Sequence, residues 1–242
     1  VSGVLRLHAA AVGLALAVGL GASGCTYPPG DGTAAHTHSP SPSLSRPASA
    51  PLPTVNPFDV KLQPLAVQPL VDVPGYERGC GPGQGCVFGT AWYDVDHNGC
   101  DTRNDVLARD LVGEVLRPGS DCVVISGVLA DPYTGETIRF VKERASAVQI
   151  DHVYALSTAW DAGAHAWTKD QRRSFANDPL NLLATDGPTN SSKQDDTPSQ
   201  WRPPSRSGWC IYATRYVAVA AKYKLPVTPA DRAALAELGA TC

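Results

Sequence analysis

The sequence predicts an α+β domain stitched by disulfides, preceded by an export segment and a polar tether. Three observations carry this. Stretches of helical periodicity alternate with short strand-like runs set off by turn residues, an order that neither an all-helical nor an all-stranded domain produces. The seven cysteines become an even six (7 − 1) once Cys25, at the end of an apolar leader, is set aside. Residues 26–58 concentrate Pro, Ser, Thr and Ala, so the part of the chain that cannot build a core is separate from the part that can. A length of 242 residues suffices for one sizeable domain and its tails.

Arg6 and His8 precede an apolar run over residues 9–20. The run is too short to span a bilayer stably and has the length of a signal-peptide core. Gly21, Ala22, Ser23 and Gly24 lead into Cys25, as in a lipobox whose cysteine is lipidated. Ala22 stands where such boxes carry leucine, so plain secretion with cleavage nearby competes with an anchored lipoprotein. The expected organisation is an export signal over 1–25, a linker over 26–58 and a folded domain over 59–242. The linker, with runs such as HSPSPSLSRPASAPLPTVNP, has too little apolar surface to offset the entropy of ordering and reads as a flexible tether.

Net charge is −3, so no overall positive field draws in nucleic acid, which counts against a tight non-specific binder. An enzyme that obtains positive charge locally from a bound divalent ion stays open. In an exported chain six cysteines imply three disulfides. Sequence neighbours are the preferred pairing among many: Cys80–Cys86, Cys100–Cys122 and Cys210–Cys242. No pair has CxxC spacing, which removes a structural zinc site. No thiol is left for catalysis, and no Gly-x-Ser-x-Gly elbow occurs.

Within the folded part, residues 75–89 (GYERGCGPGQGCVFG) read as a glycine-rich, disulfide-closed turn without the ending of a phosphate-binding loop. Residues 102–116 carry Val106, Leu107, Leu111, Val112, Val115 and Leu116 at helical spacing, with Thr102 as cap, and predict one helix. Residues 121–129 and 136–141 predict strands joined around a DPYTG turn. Residues 148–156 begin as a strand. Helices are expected over 168–178, capped by Thr168; over 209–223; and over 228–239, where Thr228 caps, Pro229 opens and Gly239 ends the helix.

The stretch from 150 to 201 is the informative one. Asp151-His152 ends a strand, Asn181-Leu182-Leu183 follows, and Asn190-x-x-Lys193-x-Asp195 comes after it. In this order and spacing the segment resembles the HNH nuclease superfamily, and more closely the exported actinobacterial HNH proteins related to the GmrSD C-terminal group. The resemblance runs from about Gly89 to Cys242. It implies a ββα-metal (HNH, or His-Me finger) core flanked by disulfide-stapled helices, and metal-assisted phosphodiester hydrolysis, on DNA before RNA. The chemistry suits these residue types. A neutral imidazole is a fitting base near neutral pH, and a carboxylate next to it in a strand points the other way. A hard divalent ion takes oxygen ligands and keeps several waters.

Carried over residue by residue, the resemblance implies His152 as general base and Asp151 and Asn190 as metal ligands. It implies Asn181 as the residue that pins the loop and orients the base, and Lys193 as a point charge on phosphate. Asp195 is the acid that holds this lysine or a metal-bound water. Asn in the third motif position, where many relatives have His, favours Mg²⁺, with Mn²⁺ as the alternative. Each residue has a plainer reading: His152 as a satisfied core histidine, Asp151 as a helix cap, Asn190 as a turn residue, Lys193 as a surface charge, and Asp195 with Asp196 as a solvated turn. A second patch, WYDVDHNGCDTRND over 92–105, opens like a calcium loop, but Asp105 stands where the bidentate Glu belongs. Relatives carry a similar segment over 101–110, where Arg103 or Arg109 is placed to contact phosphate; a scaffold of internal ion pairs is the plainer reading. His36, His38, His97 and His165 have no evident partners. The expected partner is nucleic acid, with the membrane reached only through a lipid on Cys25 and the chain a monomer. A catalytically silent surface binding protein that keeps the fold is the alternative.

Overall fold

Asn56 opens the first element of the computed structural model, which describes residues 56–242; the leader, Cys25 and the tether with His36 and His38 lie outside the described residues. The Asn56 side chain accepts from the Phe58 N–H at 2.9 Å and caps helix α1 (Pro57–Leu62). Phe58 and Leu62 are buried, and α1 lies against the last helix, α7 (Pro229–Gly239). A domain boundary after residue 58 would therefore cut a packed helix. Gly239 is what lets the two helices meet: a Cβ there would overlap the Phe58 ring, so this glycine admits a neighbour as well as ending a helix.

The fold is α+β. Strands β1 (Leu111–Leu116), β2 (Val124–Ala130) and β3 (Thr137–Val141) form one antiparallel sheet in sequence order. Strands β4 (Val148–His152) and β5 (Leu182–Asp186) form a separate antiparallel pair, from Val148↔Asp186 to His152↔Leu182. Helix α2 (Thr102–Asp110) packs on both, and Val106, Leu107, Leu111, Leu129, Phe140 and Ile150 belong to the core between them. The larger core gathers α1, α7, α3 (Leu156–Asp161), α4 (Lys169–Ala176) and α6 (Trp209–Tyr223) around an aromatic cluster that includes Phe88, Tyr133, Tyr154, Trp160, Phe175 and Tyr212. Helix α5 (Gly187–Lys193) follows β5 without a loop. Among the described residues no helix is long and apolar enough to cross a membrane.

The single helix expected over 102–116 does not form. The helix stops at Asp110, Leu111 is extended (φ −88°, ψ 147°), and residues 111–116 pair with β2 instead. Apolar residues at 111, 112, 115 and 116 fit either period, so packing decides. Leu111 is buried, whereas Val112 is 71% exposed, so no apolar helix face exists to bury. Gly113 at φ +61° and two β-branched valines weaken the helix further. The cap is also displaced by one residue: Asp101 accepts from the Asn104 N–H at 2.9 Å, while the Thr102 hydroxyl donates to Tyr93 O at 2.6 Å. The expectations for β2, β3 and the turn between them hold, as do the caps at Thr168 and Thr228 that open α4 and α7, each of which is part of a capping box.

All three neighbour disulfides form: Cys80–Cys86, Cys100–Cys122 and Cys210–Cys242. The last ties the start of α6 to the chain end across a sequence separation of 32. Replacing both of its cysteines by serine is expected to lower stability by roughly 3–4 kcal/mol through the added entropy of the unfolded chain. Denaturant unfolding of the double variant checks this, and an unchanged midpoint refutes it.

Candidate functional site

Strand β4 delivers Asp151 and His152 to opposite sides, as alternation requires: Asp151 is 3% exposed and His152 half-buried. The chain then turns because Asn181, fully buried, clamps it. Asn181 Oδ1 accepts from Tyr154 N at 2.8 Å, its Nδ2 donates to Tyr154 O at 3.1 Å, and its backbone O accepts from Val153 N at 2.8 Å. These are the backbone bonds that the pinning role assigned to Asn181 needs. His152 Nε2 lies 2.8 Å from Ala176 O at the end of α4. A carbonyl only accepts, so Nε2 carries the proton and Nδ1 keeps its lone pair. Trp92 stacks on the imidazole, with centroids 6.5 Å apart and planes 14° apart. Burial lowers the imidazole pKa to about 4, against the opposing effects of the Ala176 bond and Asp151 and helped by the positive charges of Arg78 and Lys193. The ring is neutral across the physiological range.

Asp151 faces the interior, where both oxygens find partners. Oδ1 accepts from Lys193 Nζ at 2.9 Å and Oδ2 from the Tyr133 hydroxyl at 2.7 Å. Lys193 is 0% exposed, and its Nζ also donates to His152 O at 3.0 Å. This corrects the expectation that Lys193 contacts phosphate: a sealed ammonium bonded to a carboxylate cannot reach a ligand. Burial explains the pairing, since an isolated buried charge is far costlier than a paired one. The expectation for Asp195 also changes. It is exposed and accepts from Ser157 Oγ at 2.9 Å, leaving Asp151 to hold the lysine.

Asn190 sits on α5. Asp186 caps that helix by accepting from Thr189 N at 2.8 Å, and Gly187 lies so close to Ser146 O that any side chain would collide with it. These contacts set α5 beside β4, where Asn190 Nδ2 donates to Gln149 Oε1 at 2.9 Å. A cavity of about 430 Å³ opens there, lined by Arg78, Gln149, Asp151, His152, Asn190 and Asp195 among others. Three of the expected site residues, Asp151, His152 and Asn190, thus meet at one cavity, with Asn181 behind them.

The donor set bears on the expected metal. Asn190 commits its amide nitrogen to Gln149, and its oxygen has no hydrogen-bond partner among the described residues. Each Asp151 oxygen accepts one hydrogen bond and has a second lone pair. One carboxylate and one amide oxygen fit a sparse Mg²⁺ or Mn²⁺ site completed mostly by water. Among the described residues no three His, Cys, Asp or Glu side chains are grouped to hold a metal.

Arg103 and Arg109 are not part of this cavity. Arg103 donates to Ala145 O and Val148 O at 3.3 and 3.0 Å and lies over Trp92. Arg109 pairs with Asp110 at 2.6 Å and donates to Pro179 O and Leu182 O. Both arginines hold the scaffold, which corrects the substrate-binding role expected of Arg103. In the calcium-like patch, Asp94 accepts from Asn98 N and Gly99 N, and the Asn98 amide donates to Asp96 and Asp105, a self-contained turn. His165 does have a partner, Trp160 O at 2.9 Å.

Sequence reasoning missed Arg78, Trp92, Tyr133 and the Ala176 carbonyl. Tyr133 lies in the DPYTG segment, read only as a turn, and Arg78 in the glycine-rich loop, read only as a structural closure. A backbone carbonyl leaves no sequence signal at all.

Residues 101–238 match the family described as the C-terminal domain of GmrSD restriction endonucleases. A protein of Arthroderma benhamiae, described as an uncharacterized secreted protein, is 37% identical over 205 residues, which span 82% of this chain and 93% of the relative.

Proposed function

The chain belongs to the family of C-terminal domains of GmrSD restriction endonucleases, an HNH-type nuclease family, and we propose that it is a metal-dependent endonuclease hydrolysing phosphodiester bonds in DNA with His152 as general base. One observation carries this reading: a neutral imidazole with its Nε2 proton committed to Ala176 O and its Nδ1 lone pair without a hydrogen-bond partner among the described residues, at a cavity shared with Asn190 and Asp151. In this reading β4, β5 and α5 are the ββα-metal core.

Nδ1 takes a proton from the attacking water, and the Ala176 carbonyl stabilises the imidazolium that results, because it already accepts from Nε2. Asn181 keeps the ring from swinging away by holding the next two residues. Asp151 and Asn190 would hold Mg²⁺, or Mn²⁺ in its place, which when bound supplies positive charge to the scissile phosphate and the departing oxygen. Lys193 and Tyr133 keep the Asp151 carboxylate from rotating. DNA is favoured over RNA because the matching family is one of restriction endonucleases. Three disulfides and a relative described as secreted support export. Anchoring through Cys25 and a monomeric state complete the proposal.

One observation favours a second reading, a binding protein without turnover: both Asp151 oxygens are already engaged by protein donors. A nicking assay on supercoiled plasmid, with single-stranded RNA in parallel, separates the two. Cleavage of DNA with Mg²⁺ or Mn²⁺ that stops on chelation is the expected result. Cleavage that persists in excess chelator removes the metal. Retention of DNA without any cleavage selects the second reading.

A further inference from the structure

Among the described residues, the cavity beside His152 is lined by a single Lys or Arg side chain, Arg78. Lys193 is sealed beneath the floor and neutralised by Asp151. Arg78 makes one hydrogen bond, Nη1 to Gly89 O at 3.0 Å, and has no ion pair among the described residues. The other arginines of the neighbourhood are committed: Arg103 to two carbonyls, Arg109 to Asp110, and Arg173 to Asp170. A guanidinium has several N–H groups in a planar fork that matches two phosphate oxygens. Most of that fork is unused here.

The loop bearing Arg78 is held firmly. Cys80–Cys86 closes it, Cys86 N donates to Gly79 O at 2.9 Å, and Val87 N to Glu77 O at 3.0 Å. Phe88 is fully buried, and Arg172 Nε donates to Val87 O at 2.5 Å, which ties the loop to α4, the helix that supplies Ala176 O. This loop precedes the matched residues, 101–238. A protein with net charge −3 has no general field to attract a polyanion, so local charge decides where phosphate rests.

We infer that Arg78 grips the phosphate next to His152, so that a disulfide-closed loop outside the family's matched region completes the site. This rests on the nuclease reading above. The test compares wild type, Arg78→Gln and Arg78→Lys in plasmid nicking. It also measures binding of a short fluorescein-labelled single-stranded deoxyoligonucleotide over a salt series, each protein carrying His152→Ala. Arg78→Gln is expected to lower kcat/KM by about 10²–10³-fold and to reduce the slope of log affinity against log salt by about 0.7. Arg78→Lys should keep the slope and recover part of the rate, because it returns the charge without the fork. A wild type that cleaves while Arg78→Gln matches it within twofold overturns the inference. So does a loss of cleavage with an unchanged salt slope, which marks a merely structural arginine. If wild type cleaves nothing, the nuclease reading fails by itself. The binding arm then still decides whether Arg78 holds phosphate: a reduced slope supports it and an equal slope refutes it.

Discussion

His152→Ala is expected to lower the rate of phosphodiester cleavage by about 10²–10⁴-fold, the usual contribution of a positioned general base. Among the described residues that line the cavity it is the only imidazole. Asp151 is bonded on both oxygens beneath the surface, and Asp195 is bonded to Ser157. The substitution also leaves Ala176 O without its donor, a loss of about 1 kcal/mol. The thermal midpoint should therefore fall by only roughly 2–4 °C. Initial nicking rates and a thermal scan on the same preparations separate chemistry from folding. Equal rates in the two proteins would remove His152 as base, and a large collapse of the midpoint would recast it as a core histidine.

Lys193→Met should be felt in stability instead. Its ammonium and the Asp151 carboxylate are 0% and 3% exposed and 2.9 Å apart. Taking away one member of such a pair leaves an uncompensated charge in the interior, at about 3–5 kcal/mol, or a midpoint lower by roughly 6–20 °C. The surface role that Lys193 would have as a phosphate contact predicts the opposite: weaker nucleic-acid binding and an unchanged midpoint. Combining Lys193→Met with Asp151→Leu removes both charges, and part of the lost stability should return. Cleavage should not return with it, since the carboxylate is absent. Denaturant unfolding of the single and double variants tests this; equal stability of Lys193→Met and wild type would discard the buried pair as a structural element.

Much of the frame was legible because it depends on neighbours in sequence. Thr168 and Thr228 each bond a backbone N–H three residues on, so their caps are visible in a short window. Each disulfide joins cysteines that follow one another in the chain. Asp151, His152, Asn181 and Asn190 were singled out together by their order. Failures came where one pattern serves two structures. The apolar spacing over 111–116 fits a helix and a strand equally, and pairing with β2 broke the tie. The short apolar content of 57–62 gave no warning of a helix, because its burial is created by α7, far along the chain.

The amino-acid order alone therefore determined the caps at Thr168 and Thr228 and the set of residues from which a site is assembled, and it offered the neighbour pairing of the cysteines as one choice among many. Only the tertiary structure decided which charges line the cavity and which are sealed beneath it. Lys193 and Arg78 are both single cations in polar stretches, yet one is sealed against a carboxylate and the other opens on the cavity. The free energy of a charge depends on the water and counter-charges around it, and those are supplied by segments remote in sequence.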